Sequence, residues 1–367
     1  MLKKLALSVA VAALAAPAIA QDLSSMSWDE IVAQAKEEGE VNWFVWYLQD
    51  DFRGAVKAFE EEYGITVNIP EGTQAANNDK LLAERDREAG DIDVMAFSFN
   101  QVAVWDLPSL FMPLSDVLPE DVGRTYSLNG SDAGGYGVGY WGNQTGISYD
   151  PAKISEEALP QTPEDFAAFW AANPGKFGFN YEKGGSGPSF YQNIFRNLTD
   201  VDYESGEQSD EKLAATQPGI DFFNEHAENY VVTASNADSI TRVSDGELWM
   251  APGWEDHVAG LQRKGEVRSE IKFYVPAMGM NGGGNAVSIP VNAPNPAAAA
   301  VLINWLASPE TQTSFNVNFG TAPLNAAADS SNALVPADQR ANSRPWPAKP
   351  FRDDLEQKFV EDVILER

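Results

Sequence analysis

Six glycines and four aromatic residues crowd into the twenty residues 134–153, GGYGVGYWGNQTGISYDPAK. A helix does not tolerate that load, because each interior glycine costs up to about 1 kcal/mol against alanine. An extended segment does, where backbones approach closely or bend. Val138 and Tyr140, then Ile147 and Tyr149, alternate with the two-residue period of a strand. Asp150-Pro151 ends the run, since proline cannot continue a ladder. The stretch reads either as an extended crossover between two lobes, its aromatic side chains facing the cleft, or as a glycine-rich hairpin within one sheet.

The chain before it alternates in type. Residues 28–38 predict a helix with Ser27 as N-cap and Gly39 as its stop. The apolar run 41–47 predicts a buried strand, 51–63 a helix, 65–69 a strand, 78–88 a charged helix and 93–97 a third strand. Strand, helix, strand, helix, strand is the pattern of a parallel open α/β sheet. Ligands then sit beyond the C-terminal strand ends, here residues 46–50, 71–73 and 98–101. After the glycine-rich stretch the alternation resumes. Helices are predicted over 163–173, 189–198, 218–230, 235–245, 255–264, 296–306 and 309–318. Strands are predicted over 177–181, 248–252, 272–275 and 286–290. A second glycine-rich joint, MGMNGGGN, covers 278–285. Two such joints in a chain that is α/β throughout suggest two similar lobes that exchange segments.

The first twenty residues read as a targeting segment. Lys3 and Lys4 precede an apolar core of about eleven residues, too short to span a bilayer. Ala18-Ile19-Ala20 is a small-x-small cleavage site, so the mature chain is expected to begin at Gln21 and to reside in the periplasm. The chain has no cysteine, which excludes thiol catalysis and cysteine metal sites. A net charge of −29 argues against nucleic acid as a partner.

Four segments carry a family resemblance: VNWFVWYLQDDFRGAVKAFEEEYGITVN, GVGYWGNQTGISYDPAKI, GELWMAPGWEDHVAGLQRKG and NAVSIPVNAPNPAAAAVLINWLASPETQTSFNVNFGTAPLN. Together they resemble the extracellular solute-binding proteins of bacterial ABC importers, nearest the branch of polyamine, thiamine and iron binders. The resemblance spans nearly all of the mature chain. It implies a two-lobed periplasmic binding protein fold, each lobe a mostly parallel sheet flanked by helices, closing about extended hinges on a ligand. By carry-over, lobe 1 is 21–139 plus 285–328 and lobe 2 is 143–281 plus 333–367, with crossings near 140–143, 281–285 and 328–332. The expected partners are a small-molecule ligand and a membrane permease. A monomer without cofactor, metal or catalytic residue is expected.

The resemblance puts the binding cleft at the strand ends. Trp46, Tyr47 and Asp50 end the first strand; Ser98, Phe99 and Asn100 end the third. Tyr140, Trp141 and Asn143 lie on the crossover, Trp254 and Glu255 where the family places a ligand-facing aromatic and its neighbour, and Asn285 and Thr321 at the last joints. Trp43 and Trp249 read as core instead. Polyamine binders of this family hold ammonium groups with carboxylates at positions where this chain has Ser186, Ser189 and Asn285, and Gly283 replaces their hinge aromatic. An iron site needs paired tyrosines, and Tyr47 and Tyr140 are far apart in sequence. The turn 184–188 opening a helix offers N–H groups to an anionic ligand end, or is an ordinary cap. Gly137-x-Gly139-x-x-Gly142 matches a dinucleotide fingerprint but precedes a strand pattern, so its mechanism is missing. The competing readings are a secreted hydrolase using Asp50, Glu255 or Asp256, and a chemosensory binding protein.

Overall fold

The computed structural model describes residues 23–128, 130–336 and 338–367; the expected targeting segment and its cleavage after Ala20 lie outside them. Ser27 caps the helix Trp28–Glu38 in a reciprocal pair with Glu30, and Gly39 closes it at φ 74°. Strand β1 (Glu40–Phe44) then runs parallel to both β2 (Thr66–Asn68) and β3 (Val94–Ser98). The helix expected over 51–63 is two, Gln49–Ala55 and Lys57–Tyr63, split at Val56, where Gly54 and a β-branched residue both weaken the helix. Its early start follows from the Gln49 side chain, which donates to the carbonyls of Val45 and Gly72 at 3.0 Å each. The next helix is Gln74–Glu84, a turn earlier than expected, because the Thr73 hydroxyl accepts the Ala76 N–H at 3.2 Å.

A small hairpin, β4 (Ser127–Leu128) and β5 (Ser131–Asp132), precedes β6 (Val138–Tyr149). The remaining strands are β7 (Gly178–Asn180), β8 (Val231–Thr233), β9 (Met250–Trp254), β10 (Lys272–Tyr274), β11 (Met280–Ser288) and β12 (Ser343–Arg344). The glycine-rich stretch is a crossing strand and not a hairpin. Its first half pairs antiparallel with β11, and its second half with β9 and β10. The second glycine-rich joint is strand as well, so β11 begins six residues before the expected 286. Glycine is required where these strands touch other chain: a Cβ on Gly142 would stand 2.5 Å from the Ala322 carbonyl oxygen.

Two large apolar cores result. The first holds Trp43, Phe52 and Phe59 with Val138, Tyr140, Trp141 and the helix Pro296–Leu306. The second holds Trp170, Phe179, Phe190 and Phe223 with Ile147 and Tyr149. Strand β6 therefore puts one end into each core, and β11 does the same through Val287 and Met280. A smaller cluster around Phe97, Phe99 and Phe111 adjoins the first. The parallel pairings are β2-β1-β3 in the first half and β7-β8 and β11-β12 in the second, with one parallel bridge from Phe177 to β9. The crossing strands are antiparallel and link β10, β6, β11, β3, β1 and β2 into one ladder. The division is thus in the cores and not in the hydrogen bonding. The helix Phe351–Phe359, which the sequence reading did not assign, buries Phe351, Leu355 and Phe359 in the second core. No helix among the described residues is long and apolar enough to cross a membrane.

Candidate functional site

A cavity of about 540 Å³ opens between the two halves. Its walls are chain that follows the C-terminal ends of parallel strands: Trp46–Leu48 after β1, Gln74 after β2, Asn100 after β3, Gly184 and Gly185 after β7, and Asn236 after β8. Ser98 and Trp254 are the last residues of β3 and β9. Backbone dipoles and side chains converge there because every βα unit turns at that edge.

The wall from the first half is tied by hydrogen bonds. The Tyr47 and Tyr140 hydroxyls lie 2.7 Å apart, and the Asn285 amide donates to Tyr47 at 2.9 Å. The Trp46 and Tyr47 rings meet edge to face at 5.0 Å. Residues 93 apart in sequence are neighbours here, so the separation of Tyr47 and Tyr140 was no argument against paired tyrosines. Burial pushes both phenols well above their ordinary range. Among the described residues no group of three His, Asp or Glu is placed to hold a metal ion.

The wall from the second half is made of tilted indole rings and a guanidinium. The Trp254 and Trp346 rings lie 6.2 Å apart at 32°, and the Arg352 guanidinium sits 4.1 Å over the Trp346 ring. Gly185 makes room for both indoles, since a Cβ there would meet each at 3.3 Å. Between the walls lies Asp256, partly buried, accepting the Trp141 indole N–H and the His257 backbone N–H at 3.0 Å each. Burial raises its pKa, while hydrogen bonds from Trp141 and Asn143 oppose the rise. Burial also lowers that of His257.

Of the residues singled out in the sequence, Trp46, Tyr47, Ser98, Asn100, Asn143, Trp254 and Asn285 line this cavity. The others lie elsewhere. Asp50 is exposed on its helix and pairs with Arg53 at 2.6 Å. Phe99 is buried in the cluster of Phe97 and Phe111. Tyr140 and Trp141 are wholly buried and support the wall from behind, because their strand positions face the first core. Ser186 and Ser189 are buried as well. Ser186 donates its hydroxyl to Asn236 Oδ1 at 2.6 Å and its N–H to the same oxygen at 3.2 Å, so the N–H expected for an anion is already used. Ser189 accepts the Asn281 N–H at 2.8 Å and lies 2.7 Å from the Thr145 hydroxyl. Glu255 turns away from the cavity into a two-pronged ion pair with Arg340, 2.7 and 3.0 Å; burial nevertheless pushes its pKa up to about 7. Thr321 donates to the Gly142 carbonyl at 2.5 Å and braces the crossing strand. Trp43 is core, as expected.

Trp346 and Arg352 were missed. Their signal was present: a tryptophan between two prolines, Pro345 and Pro347, followed by Phe351, Leu355 and Phe359 at helical spacing. Asp256 and Gly283 had been weighed in passing, and both line the cavity.

Two α/β cores, joined by crossing strands and facing each other across a cavity at their strand ends, define a two-lobed binding protein. The family model of bacterial extracellular solute-binding proteins matches residues 54–341, and the chain belongs to that family. No curated protein sequence matches it. Among solved structures, the spermidine/putrescine ABC transporter substrate-binding protein PotD from Streptococcus pneumoniae is similar at 14% identity and TM-score 0.64, over 88% of this chain and 99% of that one. Iron-bound HitA from Pseudomonas aeruginosa is similar at 18% and 0.63, over 88% and 99%. The maltose/maltodextrin-binding domain MalE from Bdellovibrio bacteriovorus, bound to maltotriose, is similar at 17% and 0.69, over 89% and 94%. At such identities the likeness is one of fold.

Proposed function

We propose that this protein is the exported capture subunit of an ABC importer, holding a small organic solute between its lobes and presenting it, unchanged, to a membrane permease. The observation that carries this is the cavity walled by Trp46 and Tyr47 from one half and by Trp254 and Trp346 from the other. A molecule touching both walls favours the closed arrangement by as much as its contacts there exceed those in the open one. Strands β6 and β11 are the natural hinges, since each has one end anchored in each core. The crossings near 140–143 and 281–285 fall on them, and the third lies near 328–332, between Phe315 of the first core and Val335 of the second. The protein works as a monomer, exported by a leader removed after Ala20.

The hydrolase reading needs two carboxylates in the cavity. Asp256 lines it, but Glu255 is committed to Arg340 and Asp50 is on the surface. A thermal-shift screen of small metabolites tests the proposal. A ligand at 100 times its dissociation constant adds about 2.7 kcal/mol to the folded state. The expected result is a hit that Trp254→Ala abolishes and that mass spectrometry recovers chemically intact. Recovery of a cleaved product would overturn capture in favour of catalysis.

A further inference from the structure

The cavity lining carries one carboxylate, Asp256, and one guanidinium, Arg352, and the two do not pair with each other. Among the described residues Asp256 has no Lys or Arg partner within ion-pair distance, although it is partly buried beside Tyr47 and held by three hydrogen-bond donors; its neighbour His257 also lines the cavity, but burial disfavours its cationic form. A carboxylate so placed is costly unless a cation approaches it. The aromatic faces of Trp46 and Tyr47 on the same side favour a cation that is weakly hydrated. Arg352 stands against the other wall. Its Nε donates to Glu356 at 2.7 Å in an ion pair and its central carbon lies 4.1 Å over the Trp346 ring, which fixes its orientation. Its two terminal nitrogens make no hydrogen bond to the described residues, and the residue lines the cavity. A fixed guanidinium with free donors suits a carboxylate or another planar acid.

Building on the solute-capture reading, the geometry points to a zwitterionic ligand, its ammonium end at Asp256 between Trp46 and Tyr47, its acid end at Arg352 beside Trp254 and Trp346. The lining opposes the alternatives. A polyamine finds a single carboxylate, and a phosphorylated solute with two or more charges finds a single guanidinium in a chain of net charge −29. The body of the ligand lies against indoles, so methylene or N-methyl groups are accommodated.

The test is calorimetric titration of the purified mature protein with short ω-amino acids and N-methylated betaines of graded length. Each is matched to an analogue lacking the acid and to one lacking the ammonium. The expected result is that at least one zwitterion binds about tenfold or more tightly than either analogue. Asp256→Asn should cut the preference over the acid-only analogue by about tenfold, and Arg352→Gln the preference over the amine-only analogue by a similar factor. Melting curves of both unliganded variants control for folding, with Arg352→Lys as the conservative substitute. An acid-only or amine-only compound that binds as tightly as its zwitterion overturns the assignment, as does loss of both preferences in either single variant. If no zwitterion binds while a neutral or polyanionic solute gives a signal abolished by Trp254→Ala, the charge assignment falls and the capture reading stands. A bound solute insensitive to Trp254→Ala removes the site itself.

Discussion

The two walls of the cavity use the same residue types to opposite ends. On the first wall Tyr47 is tied to Tyr140 and Asn285, and Trp141 and Phe52 pack behind it at ring separations of 5.6 Å each. On the second, the Trp254 and Trp346 rings lie tilted 6.2 Å apart, Arg352 sits over Trp346, and both indoles are partly exposed. A wall closed by hydrogen bonds is an extension of the core and resists change. A wall whose indoles meet at a tilt and stay partly exposed leaves apolar surface for a ligand. Counting aromatics therefore says little until one knows whether their polar ends are already spent.

The largest expected effect lies behind the second wall. Arg340→Ala leaves Glu255 buried without its partner and, at about pH 9 where that carboxyl is ionised in the parent, should cost about 3 kcal/mol in urea unfolding. A loss under 1 kcal/mol would mean that this wall has no structural anchor comparable to Tyr47. Next, Trp254→Ala should weaken ligand binding by about 2–4 kcal/mol, whereas Tyr140→Phe, wholly buried, should leave affinity nearly unchanged. Equal losses would erase the distinction between a residue that touches the ligand and one that supports a wall from behind.

Glu255 also predicts a pH dependence. Its folded pKa of about 7 exceeds the ordinary glutamate value of 4.5, so between those values the folded state holds the extra proton. Stability then falls as pH rises through that window, by no more than about 3 kcal/mol, and levels off above it. Glu255→Gln should flatten the profile, as read from melting temperatures between pH 4 and 8 (a range of roughly one unit beyond the window). The smallest effect belongs to the first wall. Tyr47→Phe removes the hydroxyl between Tyr140 and Asn285 and should cost about 1–2 kcal/mol in the same unfolding assay.

Much of the fold was legible because it rests on local chemistry. The cap at Ser27 and the stop at Gly39 were readable, and the helix Pro296–Leu306 falls where its proline start and apolar run place it. Boundaries slipped where a distant group set them: Gln49 reaching two carbonyls, or Asn236 taking the N–H of Ser186 and so starting that helix three residues before Ser189. The site was legible to the level of strand ends. Which side chain at an end faces the cavity depends on register, and a one-residue change reverses it. Tyr140 and Trp141 both pack into the core, although they are consecutive, because the register against β11 shifts between Asn285 and Ala286 and leaves Tyr140 as an extra residue; Asn143 beyond it reaches the cavity.

By itself, then, the sequence determined the alternation of elements, the two glycine-rich passages and the acidic, cysteine-free character of the chain, because period, propensity and charge act over a few residues. Only the tertiary structure decided that Tyr47 meets Tyr140, that Glu255 belongs to Arg340, and that Trp346 and Arg352 complete a wall begun by Trp254. Those pairings join segments 85 or more residues apart in all three cases. They exist because packing two cores about shared strands brings those segments to one edge.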